Sequence, residues 1–152
     1  CRAIVNQGRG VRNVPGYSLR GTELAAAIGQ IQLASLDERL TRRQSIAEAY
    51  VSAMHNVPEV EILARGEPRS WFTFPVLLPE DTDRERVIEG LREAGIEAAD
   101  YFPAIHKIYN GIKSAGDLSV SEALGRRTLC LPLWDGVEKH IEEITTALTK
   151  LL

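Results

Sequence analysis

The stretch from Thr22 to Met54 constrains this chain most. Apolar side chains recur there at spacings of three and four: Leu24, Ile28 and Ile31, then Leu33, Leu36 and Leu40, then Ala47, Tyr50 and Met54. That period belongs to a helix. Thr22 offers a capping hydroxyl, and Glu23 suits the positive helix start. The spacing predicts one helix over residues 23–54, broken or bent near Thr41. Such a helix is long beside the ~10–14 residues usual in globular domains. Ala25, Ala26, Ala27 and Gly29 line its start. Side chains this small let another backbone come close, so that end suits tight packing against a domain or a second subunit.

Before this helix, Gly8, Gly10, Pro15, Gly16 and Gly21 punctuate residues 1–21 too often for a helix, so loop and extended chain are expected. After it, residues 60–63 and Trp71–Leu78 carry strand formers. Pro75 cannot donate to a ladder, which predicts an open edge or a bulge there. Thr82 and Glu85 form a capping-box pattern ahead of Val87, Ile88, Leu91 and Ala94, with Gly95 as the C-cap. Residues 96–102 read as a strand and 103–116 as loop with one helical turn. Ser119 or Ser121 caps a short helix ending at Gly125. Thr128–Leu131 is a strand stopped by Pro132, and Asp135 caps a last helix whose Ile141, Ile144, Leu148 and Leu151 share a face. Strands separated by helices give a small α/β or α+β layer.

The sequence has 152 residues, 44% hydrophobic and 26% charged, which matches one soluble globular domain. The longest apolar runs fall well short of the ~18 residues of a membrane helix. The net charge is −3, yet residues 1–20 hold Arg2, Arg9, Arg12 and Arg20 and no acid. A basic leading segment on an acidic body suits a local anion site. A nucleic-acid surface is excluded on the pI of about 5.7. Cys1 and Cys130 lie too far apart for a metal or redox motif, so a reducing cytoplasm is the simpler compartment. The chain opens without Met and in mid-pattern, which leads to the expectation that it is part of a longer protein.

A search for self-contained chemistry finds little. There is no phosphate loop ending in Lys-Ser/Thr, no strand-preceded GxGxxG and no GxSxG. His55, His106 and His140 are scattered. His140 and Glu143 are three apart and could share a ligand, but a solvated helix face accounts for them better. A Schiff-base lysine needs desolvation to lower its pKa. Lys107, Lys113, Lys139 and Lys150, the four lysines, have no apolar nest in the sequence. No catalytic residue and no metal site are therefore assigned to this chain.

The order of segments resembles a known family. The carriers are Arg2 with Val5-Asn6-Gln7-Gly8-Arg9, then Gly16-Tyr17-Ser18-Leu19-Arg20, then Glu23 to Gly29 with Gln32-Leu33, Leu36 and Arg42-Arg43. Phe74-Pro75-Val76, Gly95-Ile96, Tyr101-Phe102-Pro103 with His106, and Leu131-Pro132-Leu133 follow in the same order. This set is similar to the DegT/DnrJ/StrS sugar aminotransferases, which use pyridoxal phosphate on the aspartate-aminotransferase fold. Each motif is loose, while the ordered set is specific and spans nearly the whole chain. Ser18 stands where the family usually has an Asn that donates to the cofactor phosphate across a subunit interface. Gly21 stands in place of Met or Leu, and Gln7 in place of His.

The resemblance implies the C-terminal small domain of such an enzyme: a long N-terminal helix and a small, mainly antiparallel sheet covered by helices. Residues 1–21 would be the interdomain segment facing the active site and 22–152 the small domain, with the catalytic large domain and its lysine outside this sequence. It implies a homodimer moving an amino group from glutamate or glutamine to a nucleotide-linked keto sugar, for polysaccharide or antibiotic-sugar synthesis. Tyr17, Ser18 and Arg20 would meet the cofactor, and Arg9, Tyr101 and His106 the substrate. The fragment by itself is expected to hold no pyridoxal phosphate. Two other readings stay open on the residues: a non-catalytic relative serving regulation or assembly, and a free-standing α/β interaction or ligand-binding module.

Overall fold

The computed structural model describes residues 2–7, 15–19, 21–63, 69–109, 111–112 and 115–152. The chain divides into two units, residues 1–39 and 40–152.

In the first unit, Arg2–Val5 form a short helix, α1, where loop was expected. The reason is local: the glycines and proline begin only after Val5, and Asn6 N–H closes the turn on Arg2 O at 3.1 Å. Asn6 then pairs with Ser18 in an isolated antiparallel bridge. Tyr17 N–H donates to Ile4 O at 2.7 Å and Leu19 N–H to Val5 O at 3.2 Å. Helix α2 (Glu23–Ala34) starts as expected, with the Thr22 hydroxyl accepting from Ala25 N–H at 3.2 Å.

The single long helix of the sequence pattern is two helices. The break falls at Ser35, and not near Thr41; α3 runs Leu36–Ala53. Ser35 Oγ donates back to Gln32 O at 3.2 Å and accepts Arg39 Nε–H at 3.1 Å. A serine bonded to its own helix competes with the ladder and interrupts it.

The second unit holds the core. α3 continues into a 3₁₀ turn, Met54–Asn56. Strands β1 (Glu61–Ile62), β2 (Phe74–Leu77) and β3 (Thr128–Leu131) form one antiparallel sheet in that spatial order. Phe74 faces Leu131 and Leu77 faces Thr128, while β1 meets only Leu77 and Val76. Pro75 therefore sits beyond the recorded β1 pairing, as a residue without N–H requires.

α4 (Arg84–Glu93) presents Val87 and Leu91 to the core. Its cap is Asp83, accepting from Arg86 N–H at 3.2 Å, so the Thr82 capping box is out of frame by one residue. Its end follows the sequence: Gly95 has φ +79, Gly95 N–H bonds Arg92 O at 2.9 Å and Ile96 N–H bonds Leu91 O at 2.8 Å. Those two bonds make a Schellman end, with Leu91 and Ile96 both buried beneath it.

Residues 96–102 do not form the expected strand. One bridge, Ala99 to Cys130, is the pairing there. Two ends consume the segment: Ile96 N–H turns back to the helix, and Pro103 follows Phe102.

Two short helices follow, α5 (Ile105–Ile108) and α6 (Ser119–Arg127). Neither Ser119 nor Ser121 caps α6, which runs past Gly125 to Arg127: Leu118 holds the N-cap position without a side-chain bond, and Asp117 accepts from Ser119 N–H and Oγ–H just outside it. The last helix, α7 (Ile141–Thr149), buries Ile141, Ile144 and Leu148 as its stripe predicts. Asp135 does not cap it. A 3₁₀ turn, Val137–Lys139, intervenes, and Asp135 lies 3.6 Å from Arg42.

Helices α3, α4 and α7 bury their apolar faces in one cluster with the sheet. Tyr50 and Phe74 stack at 4.7 Å within it, and Tyr50 OH donates to Pro132 O at 2.8 Å. Burial pushes the Tyr50 phenol far up, so it stays a neutral donor. The architecture is thus mixed α/β with a three-stranded antiparallel sheet, as the resemblance implied.

Candidate functional site

The residues expected to meet an anion or a sugar fall in both units. In the first, Tyr17 and Ser18 lie on the bridged segment opposite α1, both exposed. Their backbone is fixed by the three hydrogen bonds to residues 4–7, so two hydroxyls are presented from a tethered strand. Arg9 and Arg20 lie outside the described residues.

In the second unit, His106 is part of α5, one turn of helix between Pro103 and the loop at 109. A single turn cannot hold itself, because nucleation costs more than one hydrogen bond returns. Its support is α6. Gly125 lies so close that a Cβ there would sit 3.1 Å from Ala104 N. Glu122, in the first turn of α6, accepts from His106 Nε2 at 2.9 Å with one oxygen and from Lys107 Nζ at 3.1 Å with the other. These hydrogen bonds, His106 first and Lys107 next, hold the Glu122 carboxyl below its usual range. The imidazole is largely covered, with 16% of its side chain exposed.

α6 is itself anchored to the core. The buried Arg84 guanidinium donates to Gly125 O and to Glu85 Oε1 and lies 3.6 Å from Asp100. Thr128 Oγ1 donates to Leu124 O at 2.7 Å.

Tyr101 stands elsewhere in this unit, on the wall of a cavity of about 520 Å³ with Phe72, Trp134, Cys130, His140 and Glu143. His106 does not line that cavity. Cys130 is buried, and burial, the largest influence, pushes its thiol pKa up; the thiol donates to Tyr101 O at 3.3 Å. It is a structural donor and not a nucleophile. His140 and Glu143 do approach, at 3.3 Å, on an exposed face. Among the described residues no group of three or more His, Cys, Asp or Glu could hold a metal ion.

Sequence reasoning missed Glu122 and Arg84. Glu122 lies 16 residues from His106, and only its place in the first turn of a helix set it apart. Arg84 carries no sequence signal beyond following a cap.

Pyridoxal phosphate asks two things of a site, donors for its phosphate and a lysine for its carbonyl. The hydroxyls of Tyr17 and Ser18 suit its phosphate, which takes such donors. Its carbonyl needs a desolvated lysine. Lys107, Lys139 and Lys150 are exposed, Lys107 is committed to Glu122, and Lys113 lies outside the described residues. No helix among the described residues is long and apolar enough to cross a membrane.

The model of the DegT/DnrJ/EryC1/StrS aminotransferase family matches residues 1–149. A dTDP-4-dehydro-2,3,6-trideoxy-D-glucose 4-aminotransferase from Saccharopolyspora spinosa is 34% identical over 123 residues, covering 78% of this chain and 31% of that protein. A Bacillus cereus structure assigned to the PLP-dependent aminotransferases superposes with TM-score 0.86 at 28% identity, over 97% of this chain and 42% of that one. The aminotransferase TlmJ from Streptoalloteichus hindustanus gives TM-score 0.84 at 26% identity, over 99% of this chain and 44% of that one. The chain thus spans less than half the length of these relatives.

Proposed function

This chain belongs to the DegT/DnrJ/EryC1/StrS aminotransferase family, and from that premise we propose that it is the small-domain part of a nucleotide-sugar aminotransferase. The ordered match over residues 1–149 carries this reading. The whole protein transfers an amino group from glutamate or glutamine to a keto group of a nucleotide-linked sugar, in the cytoplasm, for polysaccharide or antibiotic-sugar synthesis. Pyridoxal phosphate, held by a lysine outside these 152 residues, supplies the electron sink for that exchange.

Within this chain the roles follow from chemistry. Residues 1–21 form the active-site-facing segment and 22–152 the small domain. Tyr17 and Ser18 donate hydroxyl hydrogen bonds to the cofactor phosphate, and Arg20 adds a fixed positive charge. His106 and Arg9 contact the nucleotide sugar, His106 at a sugar hydroxyl and Arg9 at a phosphate. Tyr101 offers an aromatic wall. The remaining length of the protein, as a homodimer, covers α2, whose residues are all unburied although eight of the twelve are Leu, Ile or Ala.

The test uses the whole protein with pyridoxal phosphate, glutamate or glutamine, and a dTDP-linked 4-keto-deoxysugar, the substrate type named for the Saccharopolyspora relative. An amino sugar with matching keto acid, read by mass spectrometry, is expected. No exchange with either donor while the sugar is present would overturn the reading in favour of a non-catalytic relative.

A further inference from the structure

We propose that Glu122 is the positioning residue of His106, fixing its imidazole as the Nε2–H tautomer so that Nδ1 is the ring's acceptor for a substrate hydroxyl. The proposal rests on the reading above that His106 meets the nucleotide sugar.

A carboxylate only accepts, so the 2.9 Å contact from His106 Nε2 places the proton on Nε2. In the neutral ring the other nitrogen must then be an acceptor. Glu122 is the hydrogen-bond partner of the ring among the described residues. The second oxygen of Glu122 is taken by Lys107 at 3.1 Å. That pairing keeps the carboxylate ionised, and it also neutralises the cation beside His106. The pair therefore presents an acceptor at Nδ1, where an untethered neutral imidazole would present a donor or an acceptor according to its tautomer and a free lysine a donor. An acceptor selects an O–H, as on a sugar ring, over a phosphate oxygen.

Geometry makes the orientation stiff. Glu122 rides on α6, whose Gly125 carbonyl is held by the buried Arg84 and whose Leu124 carbonyl is held by Thr128. The same Gly125 lets α5 sit against α6 at Ala104. His106 is thereby referenced to the core through two short links, although its own helix is one turn long. A supporting residue one step from the ligand is what sets a ring's tautomer and direction.

The experiment is made on the whole protein, with ¹⁵N-histidine labelling and His106→Gln to assign the ring signals. The wild-type ring should be the Nε2–H tautomer. In Glu122→Ala the ring should become a mixture, and KM for the nucleotide sugar should rise about 3- to 10-fold with kcat little changed, as one lost orienting hydrogen bond would give. Glu122→Gln keeps an oxygen that accepts from Nε2–H, so it should retain the tautomer and stay within about 2-fold of wild-type KM. It also covers the case of a poorly folded alanine variant. An unchanged tautomer in Glu122→Ala overturns the positioning role whatever His106→Gln does. A tautomer that changes while His106→Gln leaves KM untouched removes the substrate contact and with it the proposal. Equal loss of kcat and thermal stability in both Glu122 variants, with KM constant, assigns Glu122 to structure alone and likewise overturns it.

Discussion

Two apolar helices of this chain meet opposite surroundings. α7 buries Ile141, Ile144 and Leu148, with its glutamates turned to solvent. α2 carries Leu24, Ile28, Ile31 and Leu33 at 53–73% exposure and buries no residue at all. Apolar content therefore does not by itself make a core. α7 gathers its apolar residues into one stripe that a single sheet and α4 can cover. α2 spreads leucine, isoleucine and alanine around the whole cylinder, the pattern of a helix enclosed on several sides. Residues 40–152 thus bury a continuous apolar core while leaving Phe72, Phe102, Ile105 and Val120 exposed, whereas α2 buries none of its residues.

Substitutions can break that contrast, the largest first. Leu148→Ala should cost about 2–5 kcal/mol in urea unfolding followed by tryptophan fluorescence, because Leu148 is fully buried between helices. A cost near zero would deny α7 its place in the core. Gly136→Ala should lose about 1–3 kcal/mol in the same assay. Gly136 has φ +116, and a Cβ would come within 2.9 Å of the Trp134 ring; wild-type stability in this variant would mean the turn re-forms without strain.

A pH-dependent effect comes next. The folded Glu122 carboxyl lies below its unfolded value, so its contribution is whole above the unfolded pKa and is lost as pH falls through the folded one. Amide protection of Ile105–Ile108 should decline below about pH 4.5, the ordinary glutamate value, and Glu122→Gln should flatten that decline. An identical profile in both proteins would detach α5 from Glu122.

The smallest effect sharpens the comparison itself. Ile31→Ala in the 152-residue chain should stay within about 0.5 kcal/mol. In the whole protein the same change should cost several times more, and equal small costs in both would show that nothing covers α2.

How much the sequence revealed depends on how local each signal was. The stripes of α4 and α7, the Gly95 end and the Phe74–Leu77 strand rest on spacing or backbone freedom within a few residues, and all were legible. Ser35 was not, because its break depends on a serine hydroxyl and Arg39 acting on the same turn. The residues after Ile96 have strand composition, yet helix α4 and Pro103 claim the two ends, leaving one bridge. Of the candidate site, the motifs name Tyr17, Ser18, Arg20, Arg9, Tyr101 and His106 as expectations, and Arg9 and Arg20 lie outside the described residues. The motifs do not name Glu122: its pairing with His106 is a tertiary contact, made only when α6 is docked by Arg84 and Thr128.

We propose that Tyr17, Ser18 and Arg20 meet a cofactor whose lysine lies outside these 152 residues. Borohydride reduction of the whole protein loaded with pyridoxal phosphate, followed by peptide mapping, tests it most directly. The account predicts a pyridoxyl-lysine in sequence outside these 152 residues. A label on Lys107, Lys113, Lys139 or Lys150, or no labelled lysine anywhere, would contradict it.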